Sequence, residues 1–171
     1  MSHGRNPQRN VVLTGYYGSG LGMIGLELSR RMRRPYIDLA AELRRRRSRL
    51  RVLLPSGASD ELEAERSLLA DLSYRQEAVI DVAVDTVEHG TYFEELNDFS
   101  FIAFIDPPFE DLIASVRNDR RLRDVLDMYG EDGLYARWQA LRPSFERCDF
   151  QLTGSYTAQR AAALIIHSFF T

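Results

Sequence analysis

Short runs of β-branched and aromatic residues alternate along the chain with longer stretches in which apolar positions recur every three to four residues. This alternation predicts βαβ units wound on a parallel sheet. The first run, Asn10–Thr14 (NVVLT), leads through GYYGSGLG into a helix marked by Ile24, Leu28 and Met32 at i, i+4 and i+8. Further strands are expected at Tyr36–Asp38, Ala78–Val84 and Phe101–Asp106, the last a continuous apolar run of the kind a central parallel strand shows. Pro107 and Pro108 end that strand, and Phe109, Leu112, Ile113 and Val116 then follow helical spacing. Residues 118–124 (NDRRLRD) read as a mobile arginine-rich segment, and Leu134, Trp138, Leu141 and Phe145 as a helix. Phe150–Leu152 make a fifth short strand, and Ala158, Ala161, Ala162, Ile165 and Phe169 give a closing helix its core-facing stripe. The expected class is α/β with a five-stranded parallel sheet.

At 171 residues the chain suits one domain over 1–171, with residues 1–9 expected to be flexible. Apolar residues make up 44% and charged residues 27%, with a net charge of −3, which disfavours both a disordered chain and a basic nucleic-acid binder. No apolar run approaches the roughly 20 residues of a membrane span, and the start MSHGRNPQRN lacks the apolar segment of a secretory signal. A cytoplasmic protein with no membrane partner is expected. The lone Cys148 forms no internal disulfide, and His3, His89 and His167 lack metal-ligand spacing. More decisive is that all 22 basic residues are arginine. A mechanism that needs a lysine ammonium from this chain is excluded.

A strand that runs into glycines and then a helix turns backbone N–H groups and a positive helix end toward an anion. The turn here is Gly15-Tyr16-Tyr17-Gly18-Ser19-Gly20-Leu21-Gly22, so Gly15, Gly18, Ser19, Gly20, Leu21 and Gly22 are the candidate phosphate-binding residues. In the P-loop pattern G-x-x-x-x-G-K-S/T, the lysine reaches the β and γ phosphates and the hydroxyl holds magnesium. Gly15 and Gly20 sit at the required spacing, but Leu21 holds the lysine position and Gly22 the hydroxyl position. Losing one transition-state charge stabiliser costs about 10²- to 10³-fold in rate. The turn is either an anion cradle stripped of catalytic groups or simply a tight strand-to-helix connection.

The run NVVLTGYYGSGLGMIGLELSRRM resembles the opening of the shikimate kinases, with Ile24 and Gly25 after the turn as in that family. PYIDLAAEL, FIAFIDPPFEDL, RPSFERCDFQL and AALIIHSFF extend the resemblance to the end of the chain. It implies a three-layer P-loop kinase-like fold, with ATP and magnesium as cofactors if the chain is active. Asp38 matches the first aspartate of the family's substrate-side pair, and Ala40 replaces the second, which orients the substrate hydroxyl. Ala83, Val84 and Asp85 stand at the family's triple-glycine turn. The resemblance further places Arg66 at a substrate-clamping position and Arg142 one residue from the carboxylate-binding arginine. It sets Arg117 and Arg123 in the lid, near the arginines that reach adenine and phosphate.

Six arginines fall within Arg44–Arg51, and at 100° per residue Arg46 shares a helix face with Leu39, Leu43 and Leu50. Arg46 either snorkels or points into a pocket, where it would serve an anionic ligand. The run as a whole is either a solvated face or a surface for phosphate, RNA or an acidic partner, and the negative net charge argues against nucleic acid. Asp81 and Asp85 read as a solvated pair, with a metal site built on them and Asp38 as the alternative, and Tyr16 and Tyr17 read as a cover, a stacking surface or a subunit contact. The functional expectation is a shikimate kinase-like protein with impaired or absent phosphotransfer, a pseudoenzyme binding an anionic small molecule or a protein partner and using no certain cofactor. An active small-molecule kinase and a protein–protein interaction module are the alternatives.

Overall fold

The computed structural model describes residues 9–53, 59–84, 92–145 and 147–171. Five strands, β1 (Asn10–Gly15), β2 (Tyr36–Asp38), β3 (Val79–Val82), β4 (Ser100–Asp106) and β5 (Phe150–Thr153), form one parallel sheet in the order β2-β3-β1-β4-β5. All five coincide with the strands expected from the sequence. β1 and β4 are buried along their whole length, which is why their apolar runs are continuous instead of alternating.

The helices are α1 (Leu21–Met32), α2 (Leu39–Leu53), α3 (Ser59–Tyr74), α4 (Tyr92–Asn97), α5 (Phe109–Asn118), α6 (Arg123–Leu141) and α7 (Ala158–Phe170). α1 and α7 cover one face of the sheet, where Leu13, Ala103 and Ile105 pack with Ile24, Leu28, Ala162 and Ile165. α2, α3 and α4 cover the other through Val12, Ile80 and Ile102 against Leu39, Leu68, Leu72 and Leu96. This gives the three layers. A third cluster, Tyr16, Val84, Leu112, Ile113, Val116 and Leu134, ties α5 and α6 to the loops at one end of the sheet.

One expectation is revised. The stretch 118–124 is a 3-10 turn at Arg120–Leu122 followed by the start of α6, because Leu122, Val125, Leu126 and Tyr129 continue an apolar stripe into the third cluster beneath the surface charges. Asp119 caps the turn by accepting from the Arg121 N–H at 2.9 Å. α6 also breaks at Gly130 (φ 64°, ψ 173°). The flexible start was expected over residues 1–9; residues 1–8 lie outside the described residues, while Arg9 donates to the Ser100 carbonyl.

Candidate anion-binding site

The glycine turn joins β1 to α1 and floors a cavity of about 350 Å³. Its shape is dictated by backbone. Gly18 (φ 81°) passes so close to α5 that a Cβ there would stand 2.5 Å from the Leu112 carbonyl, and Gly20 (φ 78°) is the left-handed residue before the helix. A Cβ on Gly15 would meet the Ile105 carbonyl at 2.8 Å and Ser19 Oγ at 2.7 Å. Tyr16, 5% exposed, donates to the Leu134 carbonyl at 3.1 Å, so it anchors the turn to α6 from within the core. That replaces the three surface roles expected for it; Tyr17 meets it edge-on at 5.1 Å.

Two features give the floor its chemistry. The first helical hydrogen bond runs from Ile24 N to Gly20 O, leaving the amides of Leu21, Gly22 and Met23 without intrahelical acceptors, and no acid in the first turn neutralises the helix end. Ser19, 8% exposed, lines the cavity with its Oγ buried and without a hydrogen-bond partner among the described residues. A buried orphan hydroxyl beside free amides is suited to an anion. Leu21 adds nothing polar. Its side chain is half-buried against the α1/α7 core, and its Cδ2 lies 3.2 Å from the Cβ position of Gly15.

Across the cavity stands Asp81 of β3, which accepts at Oδ2 from the Tyr36 hydroxyl at 2.9 Å. Burial is the largest influence on its carboxyl and, with neighbouring Asp38, pushes it up to about 6 against the Tyr36 bond. Tyr36 in turn owes its place to Gly25, whose Cβ would fall 2.5 Å from the ring. Asp81 is therefore a half-buried, partnered group and not half of a solvated pair; Asp85 lies outside the described residues. Sequence reasoning missed this wall because its two members are 45 residues apart.

Of the remaining candidates, Asp38 and Arg46 are brought together in a second cleft of about 490 Å³ beside β2, α2 and α3. Both are already engaged there. Asp38 accepts from the Ala41 N–H at 2.9 Å and so starts α2, while Arg46 bonds Ser67 Oγ at 2.8 Å and Asp71 at 2.5 Å. Arg66 is exposed on α3 and borders neither cavity. Arg142 donates to the buried Asp106 at 2.9 Å and lies 4.7 Å over the Trp138 ring, and Arg117 pairs with Glu131 across α5 and α6. Arg123 is exposed away from the cavity walls. The arginine at the cavity mouth is Arg121, held by Asp119 at 2.8 Å; only its place in the charged stretch 118–124 hinted at this.

Magnesium and ATP are what a P-loop kinase uses. The described residues do not supply the P-loop magnesium ligand: Gly22 has no hydroxyl, and no group of three His, Cys, Asp or Glu side chains among them stands close enough to hold an ion. They do fit a phosphate, through the free amides and Ser19. No helix among them is long and apolar enough to cross a membrane.

No protein-family model matches the chain. In sequence it is 27% identical over 126 residues to a shikimate kinase of Syntrophus aciditrophicus (strain SB), a match covering 72% of this chain but only 65% of that protein. It is 23% identical over 146 residues to a shikimate kinase of Burkholderia thailandensis, covering 84% and 79%. In structure, the shikimate kinase of Bacteroides thetaiotaomicron superposes with a TM-score of 0.74 at 19% identity over 96% of this chain and 99% of that one. The fold is that of the shikimate kinase structure, and the sequence is similar to shikimate kinases over most of its length.

Proposed function

We propose that the chain is a shikimate kinase-like protein that has lost phosphoryl transfer and acts by binding, its glycine turn holding the phosphate of an anionic ligand. One contrast within the turn carries this reading. The backbone cradle and the buried Ser19 hydroxyl are kept, while the lysine position is a leucine packed on the core. The cavity volume falls within the range of small-molecule sites.

An ADP-release assay with shikimate, ATP and magnesium is expected to give less than about 0.1 turnovers per second, against roughly 1–100 for working kinases. Turnover within that working range would overturn the reading. Calorimetric titration with ADP should nevertheless show binding. Leu21→Lys combined with Gly22→Ser should tighten it by about tenfold, a single charge contact's worth. The serine fits, since its Cβ would stand 3.8 Å from the Tyr36 hydroxyl. Arg121 at the cavity mouth favours a second reading, an active ATP-dependent small-molecule kinase in which an arginine supplies the missing charge. Under it, the same assay gives turnover that Arg121→Ala abolishes.

A further inference from the structure

The cavity presents a contradiction. Its floor offers free amides and a buried orphan hydroxyl, suited to an anion, yet its wall carries the carboxyl of Asp81. That carboxyl is fixed in place: Tyr36 holds Oδ2 at 2.9 Å, and the absence of a side chain on Gly25 lets the Tyr36 ring lie where it does. Oδ1 takes no hydrogen bond among the described residues.

Among the described residues, no unpaired cation lines the cavity with Asp81. On β2 its neighbours are Tyr36 and, in register, Asp38. From β1 its register partner is Leu13, and the opening of α1 offers Leu21, Gly22 and Met23. The turn contributes no charged group, only Tyr16 and Tyr17, and the lid contributes Asp119 and Arg121, which are paired with each other. An ionised carboxylate there would repel a phosphate, whereas the neutral acid would donate a hydrogen bond to it.

We infer that the site binds its anion together with one proton, taken from solvent onto Asp81 Oδ1, so that a neutral carboxyl donates to the ligand oxygen while Tyr36 continues to donate to Oδ2. The inference rests on the anion-binding reading above. It makes Asp81 a specificity-determining residue and the binding independent of a divalent cation. Burial of the carboxyl, which holds its proton to higher pH than usual, works in the same direction.

Sulfate is the probe of choice, because its charge does not change between pH 5.5 and 8. Calorimetric titration of the full chain with sulfate should show affinity falling by up to about tenfold per pH unit above pH 6, with about one proton taken up, read from buffers of different ionisation enthalpy. Adding magnesium should change nothing. Asp81→Asn should bind sulfate at pH 8 about as well as the unaltered chain does near pH 6, with a flat profile. Tyr36→Phe, which removes a bond that favours the charged form, should move the midpoint upward. Sulfate binding with no pH dependence in the unaltered chain, or an Asp81→Asn profile that still falls with pH, overturns the inference while leaving the anion site standing. If neither sulfate nor ADP binds anywhere between pH 5.5 and 8, both readings fail together.

Discussion

The floor and the wall of the cavity are built from different material. Along Gly15–Gly20 the shape comes from backbone: two left-handed glycines, a carbonyl of α5 within 2.5 Å of where a side chain would begin, and amides left free at the start of α1. On the wall everything depends on side chains, the Tyr36–Asp81 bond and the ring space left by Gly25. The floor is positive through dipoles that nothing in the chain can titrate, whereas the wall carries a charge that a proton removes. A cavity of this kind keeps its shape through one half and sets its selectivity through the other.

The largest effect should come from the floor. Gly18→Ala must place a Cβ against the Leu112 carbonyl, a backbone atom that cannot swing aside, in a conformation with φ 81°. A cost of about 3 kcal/mol is expected, roughly 1–2 from the left-handed backbone and the rest from the clash. At about 2–4 °C per kcal/mol for a chain of this size, Tm should drop by roughly 6–12 °C. Gly20→Ala is the matched control, since φ is 78° but nothing lies within 4 Å, and it should cost only about 1–2 kcal/mol. Equal Tm shifts for the two in calorimetry would show that the close approach to α5 does not shape the floor.

The wall should respond in the opposite sense and only above acid pH. Asp81 is raised from 3.8 to about 6, so the folded chain holds a proton that the unfolded chain releases. Its contribution is therefore full below about pH 4 and is lost as pH rises through 6. Asp81→Asn should leave stability nearly unchanged at pH 4 and raise it by about 1–2 kcal/mol at pH 8, read from urea midpoints. The Gly18→Ala loss should be the same at both values. A stabilisation by Asp81→Asn that is equal at pH 4 and pH 8 would mean that the effect is packing and not charge.

The same division explains what could be read from the sequence. The strands and the core faces of α1, α5 and α7 were legible because each is a local pattern: Ile24 and Leu28, or Leu112, Ile113 and Val116, report their burial by spacing alone. The glycine floor was legible for a related reason, since its spacing is itself the structure. The arginines were not. Arg46 does share a face with Leu39 and Leu43, yet it is consumed by Asp71 and Ser67 of α3. Arg142 is consumed by Asp106, 36 residues away. Charge density cannot say which arginines are already paired. The start of α6 was hidden for the converse reason, because the charges of 118–124 masked a stripe of Leu122, Val125 and Leu126.

The smallest effects should separate two arginines that look alike in sequence. Arg46 has only 16% of its side chain exposed and bridges α2 to α3, so Arg46→Ala should lower stability by about 0.5–1 kcal/mol without changing ADP affinity. Arg121 has 88% of its side chain exposed and is already engaged by Asp119, so its field at the cavity mouth is partly cancelled and open to screening. Arg121→Ala should leave Tm unchanged and weaken ADP binding only about two- to fivefold in dilute buffer, the difference vanishing near 1 M salt. Calorimetric titrations of both variants at two salt concentrations decide the matter. A loss of ADP affinity in Arg46→Ala with none in Arg121→Ala would move the anion from the glycine cavity to the cleft beside β2.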